Sequence, residues 1–347
     1  RGSGGPLPET SMVDKGMTAI LRPTPRASMS DILYNGCPTR DRETGSSMSN
    51  KPSVLIVGAS GALGQPLTQE FIKQRDRIGR LAILSGPAKA HRVEAARAAG
   101  VEIVLGSLID PKCYQGIDIV FSLVGDATMR LQPAIIEAAV EGGVRHFYPS
   151  EFGTDIDQDH VWPFRYFRDK LVTRDHLRAT AKKVPGFQYT LMLVGAFTEW
   201  SCSSFSGFDL EKHTVEAYGY PEAQVSVTAL KDIVRYAVDS IFLPFPKDHA
   251  MREIRVRGDH VTFAELIKTL EEVQGVSYTV SYIDPSEAAA KQEAARKRGE
   301  ESEEVKWAGK TICPTGRVTV PFPIDNDKFD FRPESLKETL ARLFATK

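Results

Sequence analysis

Cysteine is scarce in this sequence. The four present, Cys37, Cys113, Cys202 and Cys313, lie far apart, with no CxxC pair and no histidine at ligand spacing. A structural zinc and a disulfide framework are therefore not expected, no metal is assigned, and a reducing compartment fits best. An excess of one charge is missing as well: 44 Lys and Arg stand against 45 Asp and Glu, a net charge of −1. Without a polybasic field there is nothing to recruit nucleic acid or anionic lipid. Long apolar runs are absent too. The longest, such as Val54–Val57 and Leu191–Val194, are strand-sized, well short of a membrane span. The first fifty residues hold no hydrophobic region suited to a signal peptide. These absences leave a cytoplasmic protein with no membrane or nucleic-acid partner; monomer and homodimer both stay open.

What remains is ordinary globular material: 347 residues, 41% hydrophobic and 26% charged. A chain of this length buries roughly three-quarters of its unfolded surface and needs no covalent staple. Residues 1–50 stand apart, rich in Pro, Ser, Thr, Gly and Arg without hydrophobic periodicity, and read as a leader or disordered arm. From residue 53 short apolar runs alternate with helical spacing. Ser53–Val57 is continuously apolar, as a strand buried on both faces should be. Leu81–Leu84, Val101–Leu105, Ile117–Val124, Val144–Tyr148 and Tyr189–Val194 supply further strands. Leu63–Lys73 and stretches near 90–99, 131–141 and 168–182 supply the helices between them. This alternation predicts an α/β fold, a Rossmann-type doubly wound parallel sheet with right-handed crossovers. Its core is placed at 51–195, with a helix and a strand near 231–258 returning to it. Segments 196–230 and 259–347 form a smaller C-terminal substrate-binding lobe over the carboxyl ends of the strands, where open α/β sheets bind ligands. Pro285–Lys306 reads as one solvated, alanine-rich helical stretch of mixed charge.

Gly58-Ala-Ser60-Gly61-Ala62-Leu63-Gly64 follows the first strand and opens the first helix. At that place three glycines have separate uses. Gly58 permits the tight turn, Gly61 lets the backbone approach a pyrophosphate, and Gly64 allows close helix–strand packing. The dinucleotide follows from the end of the second strand. An enzyme specific for NAD places Asp or Glu there, on the ribose 2′-hydroxyl. Here Ser85-Gly-Pro-Ala-Lys89-Ala-His-Arg92 carries no acid before Glu94. Lys89 and Arg92 suit a 2′-phosphate, with Ser85 as a donor, so NADPH/NADP+ is the expected cofactor. Val124 and Gly125, ending the fourth strand, pass beneath the adenosine half. The acidic string from Asp155 is no calcium loop, because its sixth position is His160 and its twelfth Tyr166.

Past the fifth strand stands Pro149-Ser150-Glu151-Phe152-Gly153, and Lys170 follows seventeen residues beyond that glycine. Together with the glycine motif and Val225-Ser-Val-Thr-Ala-Leu-Lys-Asp232, this resembles the isoflavone reductase-like, NmrA-like atypical short-chain dehydrogenases. The likeness is close over about 52–240 and loose beyond. The resemblance implies an NADPH-dependent reductase of aromatic or phenylpropanoid-like small molecules, of the kind used in secondary metabolism. Lys170 would be general acid/base and would orient the nicotinamide ribose. It also leaves open an NADP(H)-binding sensor without turnover, or a redox-neutral isomerase or dehydratase on the same fold.

Tyr166 precedes Lys170 by four residues, so the two share a helix face. A nearby ammonium lowers a phenol's pKa, which makes Tyr166 a candidate proton donor, with Ser150 completing a Ser–Tyr–Lys set. The alternative is Lys170 acting with water or substrate alone. Pro149, Ser150, Glu151 and Phe152 also serve as the turn under the nicotinamide, with Glu151 expected to bond backbone N–H groups. Trp162, Phe164, Phe167 and Trp200 are the expected substrate walls, with Phe205 and Phe208 in the same aromatic cluster, fitting a flat, apolar or phenolic ligand. Phe197, directly after the sixth strand, is assigned to contact with the nicotinamide or the substrate.

Overall fold

The computed structural model describes residues 51–157 and 165–344. The expected arm at 1–50, and Trp162 and Phe164 among the expected substrate walls, lie outside the described residues. The chain lays down β1 (Ser53–Val57), α1 (Gly64–Lys73), β2 (Arg80–Ser85), α2 (Glu94–Ala98), β3 (Glu102–Leu105) and β4 (Ile119–Ser122). It continues through α3 (Asp126–Met129), α4 (Gln132–Glu141), β5 (His146–Tyr148), α5 (Arg165–Lys183) and β6 (Gln188–Leu193). Then come β7 (Ala196–Phe197), α6 (Thr198–Ser201), β8 (Phe208–Asp209), β9 (Thr214–Tyr218), β10 (Gln224–Thr228), α7 (Leu230–Ser240) and β11 (Met251–Arg255). The remainder is β12 (Asp259–Thr262), α8 (Phe263–Gln274), β13 (Thr279–Ile283), α9 (Pro285–Arg298), α10 (Glu301–Ile312) and α11 (Leu336–Phe344).

Seven strands form one sheet in the order β11-β6-β5-β4-β1-β2-β3, every neighbouring pair parallel. Successive side chains of a strand point to opposite faces, and β1 shows the consequence. Val54 and Ile56 pack with Leu67 and Phe71 of α1 and with Ile233 and Val234 of α7. Leu55 and Val57 pack on the other side with Ile135 and Ile136 of α4 and Leu177 of α5. Each such fully buried aliphatic or aromatic side chain stabilises by roughly 1.5–3 kcal/mol, which favours the apolar run Val54–Val57 in β1. The order reverses direction between β1 and β4, and that switch point opens the crevice in which such sheets bind ligands.

β11 joins the sheet edge beside β6 and is fastened by a buried arginine. The Arg252 guanidinium donates to Tyr148 Oη (2.9 Å), Ser240 O (3.0 Å), Leu243 O (3.1 Å) and Thr190 Oγ1 (3.3 Å). Ser240 O is at the carboxyl end of α7, where the helix dipole favours a cation.

Two three-stranded sheets, β12-β10-β7 and β13-β9-β8, build the second lobe with α8 to α11. Its separate core includes Phe208, Val225, Phe263, Leu266, Leu336 and Leu340. The single helical stretch expected over 285–306 is two helices. Gly299 adopts a left-handed φ of 72° and closes α9, with Glu300 N donating back to Ala295 O at 3.0 Å. Arg-Lys-Arg followed by Gly is a helix-stop pattern, and it outweighs the even composition on either side.

Candidate functional site

The glycine loop sits at the switch point between the ends of β1 and β4. Gly58 has φ +84°, and a Cβ there would come within 2.5 Å of Leu123 O. A Cβ on Gly64 would overlap the Gly58 carbonyl. Gly61 N donates to that same carbonyl at 3.0 Å, folding the loop tightly, while Gly61 and Ala62 face solvent. Leu63, the N-cap of α1, makes no side-chain cap, and although Gln65 N is bonded back to Gly61 O at 3.0 Å, the helix start offers an anion the positive end of its dipole. β2 ends abreast of this loop, since Val57 pairs with Leu84. Ser85 is buried there, its Oγ donating to Gly86 O at 3.2 Å. Lys89 and Arg92 are exposed on the 3₁₀ turn Pro87–Val93 that follows. Val124 is buried at the end of β4, and Gly125 after it is exposed, with open space where a side chain would stand.

The Pro149–Gly153 turn leaves β5 toward the same crevice. Ser150 fastens it: its N donates to Gln132 Oε1 (3.0 Å) and its Oγ to Val124 O (2.9 Å), joining the ends of β4 and β5. Gly153 O accepts from Val194 N (2.8 Å) and Gly195 N (3.0 Å), holding the turn beside the end of β6. Glu151 does not bond backbone amides as expected. Its carboxylate, 1% exposed, takes the Arg174 guanidinium of α5 at 2.9 Å. A buried carboxylate in a turn with few free amides is better served by a full counter-charge.

Lys170 is 4% exposed and stands one helical turn before Arg174 on α5. A Cβ on Gly153 would be 3.8 Å from its Nζ, so the amine lies against the turn. Burial pushes this amine below the usual lysine range; Glu151 acts against the shift and Arg174 with it. Tyr166 is placed in α5 one turn earlier, and its side chain lies outside the described residues.

Lys170 forms part of the wall of a cavity of about 130 Å³. Phe152, Gly153 and Thr154 line it from the turn, Phe167 from α5, Phe197 from β7, Trp200 and Ser201 from α6. The second lobe closes it with Phe205, Ser206, Ile312, Cys313 and Val318. Phe197 and Trp200 stack at 4.6 Å and 20°. The hydroxyls are spent on the protein: Thr154 donates to Thr319 O (3.1 Å) and Ser201 to Thr198 O (2.9 Å). Burial pushes the Cys313 thiol up to about 11, so it is a neutral wall rather than a nucleophile. Of the predicted residues, Phe152, Phe167, Lys170, Phe197 and Trp200 meet in this cavity. Ser85, Lys89 and Arg92 gather instead at the end of β2. Sequence reasoning found Phe205 but missed Ser206, Ile312, Cys313 and Val318 of the second-lobe wall, and Arg174; the i to i+4 spacing of Lys170 and Arg174 was the available signal for the latter.

The geometry defines a Rossmann-type nucleotide-binding fold with a lysine-bearing cavity beside its crevice. The chain belongs to the NmrA-like family, whose model matches residues 50–307. It is 29% identical over 263 residues to phenylcoumaran benzylic ether reductase Pyrc5 of Pyrus communis, covering 72% of this chain and 83% of that protein. It shares its fold with leucoanthocyanidin reductase of Vitis vinifera in binary complex with NADPH, at a TM-score of 0.66 and 20% identity over 85% of this chain and all (100%) of that one. AtPrR2 with NADP+ and (+)-pinoresinol gives a TM-score of 0.68 at 21% identity, covering 84% and 98%.

Proposed function

We propose that the protein is an NADPH-dependent reductase of a neutral aromatic or phenolic small molecule, its acceptor a carbonyl, an activated C=C bond or a quinone methide. The observation that carries this is Lys170: among the described lining residues it is the one Lys, Arg, Asp or Glu in a wall built largely of aromatic and aliphatic groups. Apolar walls with a single convergent polar group suit a ligand of low charge that needs one proton moved. The names of the relatives, a phenylcoumaran benzylic ether reductase and a leucoanthocyanidin reductase, agree with that chemistry.

The residues fit the cofactor. Gly58, Ser60, Gly61, Ala62, Leu63 and Gly64 would hold its diphosphate, and the tight loop leaves no room for side chains at its closest approaches. Ser85, Lys89 and Arg92 would hold the 2′-phosphate. Val124 and Gly125 would pass beneath the adenosine half, and the Pro149–Phe152 turn would floor the nicotinamide half, with Phe197 beside it. Bound NADPH supplies a hydride. Lys170 moves a proton to or from the substrate oxygen, its burial favouring the neutral amine more than in an exposed lysine. Ser150, whose hydroxyl is spent on Val124 O, serves the turn. The aromatic walls exclude water and orient the ring.

NADPH consumption against quinones, enones and phenolic ethers tests the reading. Turnover with at least one class is expected. Tight cofactor binding without any turnover points to a sensor, and product without NADPH loss to a redox-neutral enzyme. Lys89→Ala and Arg92→Ala are each expected to weaken NADPH binding by roughly tenfold, the worth of one charge-assisted hydrogen bond, and to leave NADH binding unchanged. Calorimetry with both nucleotides would show whether the loss is confined to NADPH.

A further inference from the structure

Arg174 is buried to 1% exposure and meets three carboxylates at once: Asp157 Oδ2 at 2.8 Å, Glu151 Oε2 at 2.9 Å and Asp155 Oδ1 at 3.3 Å. All three belong to the stretch that leaves β5, against which the Lys170 amine lies. Holding a surface stretch does not call for a guanidinium this deep, because taking the charge from water costs several kcal/mol unless it is paired well. Glu151 presents a second anomaly. Its Oε1 is buried and has no hydrogen-bond partner among the described residues, although an unbonded buried carboxylate oxygen is costly. Lys170 and Arg174 stand on one face of α5, and Glu151 faces both.

We propose that Arg174 is the positioning residue of this site and Glu151 its charge partner, the pair clamping the 151–154 turn onto Lys170 and balancing the charge around its amine without touching substrate. The inference rests on the reading of Lys170 as the proton-moving group. Glu151 favours the ammonium, while burial and the Arg174 charge favour the amine. Arg174 keeps its own charge: burial works against it, but the attraction of Glu151, Asp157 and Asp155 holds it above the usual arginine range. Among the described residues, Glu151 from the turn and Arg174 from α5 are the charged groups that bear on the amine. α6, the Ser204–Ser206 turn and the end of α10 add aromatic rings, hydroxyls and the neutral Cys313 thiol.

Two substitutions then act with opposite sign. Arg174→Gln removes a positive charge and releases Glu151, so Lys170 titrates higher. Glu151→Gln removes the negative charge that bears on the amine and leaves Arg174 in place, held by Asp155 and Asp157, so Lys170 titrates lower. Loss of packing would not separate the two in this way. The titration is read by NMR on the full chain labelled with ¹³Cε-lysine, the Lys170 signal identified by its loss in Lys170→Ala. Each midpoint is expected to move by roughly one pH unit from wild type, in opposite directions. Arg174→Lys, which keeps charge and loses the planar fork, should hold the midpoint and lower kcat more than it raises KM. Should Arg174→Gln fail to fold, Glu151→Gln alone and the double variant decide, the double returning toward the wild-type midpoint. Unmoved midpoints, or shifts in the same direction, overturn the proposal. The titration needs no turnover, so a wild type that never consumes NADPH would overturn the proposed function separately.

Discussion

Lys170→Ala is expected to lower turnover by roughly 10²- to 10⁴-fold, the range lost when a positioned acid or base is removed. NADPH affinity should change far less, because the glycine loop and the end of β2 are built from other residues. The two measurements separate chemistry from binding: an interaction made only in the transition state lowers kcat and kcat/KM together. Removing the buried amine also leaves Glu151 with Arg174 as its described counter-charge, so the fold should tolerate the change. Tyr166→Phe, measured beside it, apportions the proton. A loss of about 10²-fold brings the tyrosine into the transfer, and a near-normal rate assigns it to Lys170 with substrate or water. Equal turnover in wild type and Lys170→Ala would remove the amine from the mechanism altogether.

The parts of this molecule that sequence reasoning found are those whose physics is local. Ser53–Val57 is apolar because a central strand is buried on both faces, and the glycines after it are fixed by a turn of a few residues. The parts it missed depend on distant partners. Arg174 lies in α5, a helix so rich in Arg, Lys and Asp that one more cation reads as a solvated face. Asp155 and Asp157 were weighed only as a metal loop; what they hold is a guanidinium arriving from the next helix. The far wall of the cavity comes from Ile312, Cys313 and Val318, more than a hundred residues beyond Lys170, and no spacing links them. Glu151 was expected to bond the amides of its own turn, whereas its partner, Arg174, arrives from 23 residues further along the chain.

Gly58→Ala should do more damage than its size suggests, and a second glycine isolates the reason. Gly275, closing α8, has φ +70° and open space around the position of a Cβ. Gly275→Ala therefore meets the left-handed backbone alone, a cost of about 1–2 kcal/mol. At Gly58 the same backbone cost is joined by a Cβ 2.5 Å from Leu123 O, a backbone atom that cannot rotate away. Relief requires the ends of β1 and β4 to part, yet Leu123 N is bonded to Val57 O at 2.8 Å across that gap. The total should exceed the Gly275 variant by a further 1–3 kcal/mol, the scale of overpacking. Thermal melts of the two variants measure that difference. Because the strain falls where the diphosphate is proposed to rest, Gly58→Ala should also lose roughly tenfold or more in NADPH affinity while Gly275→Ala loses none, one power of ten being about 1.4 kcal/mol of binding. Equal melts together with equal nucleotide binding would mean that the crevice between β1 and β4 is not where the cofactor lies.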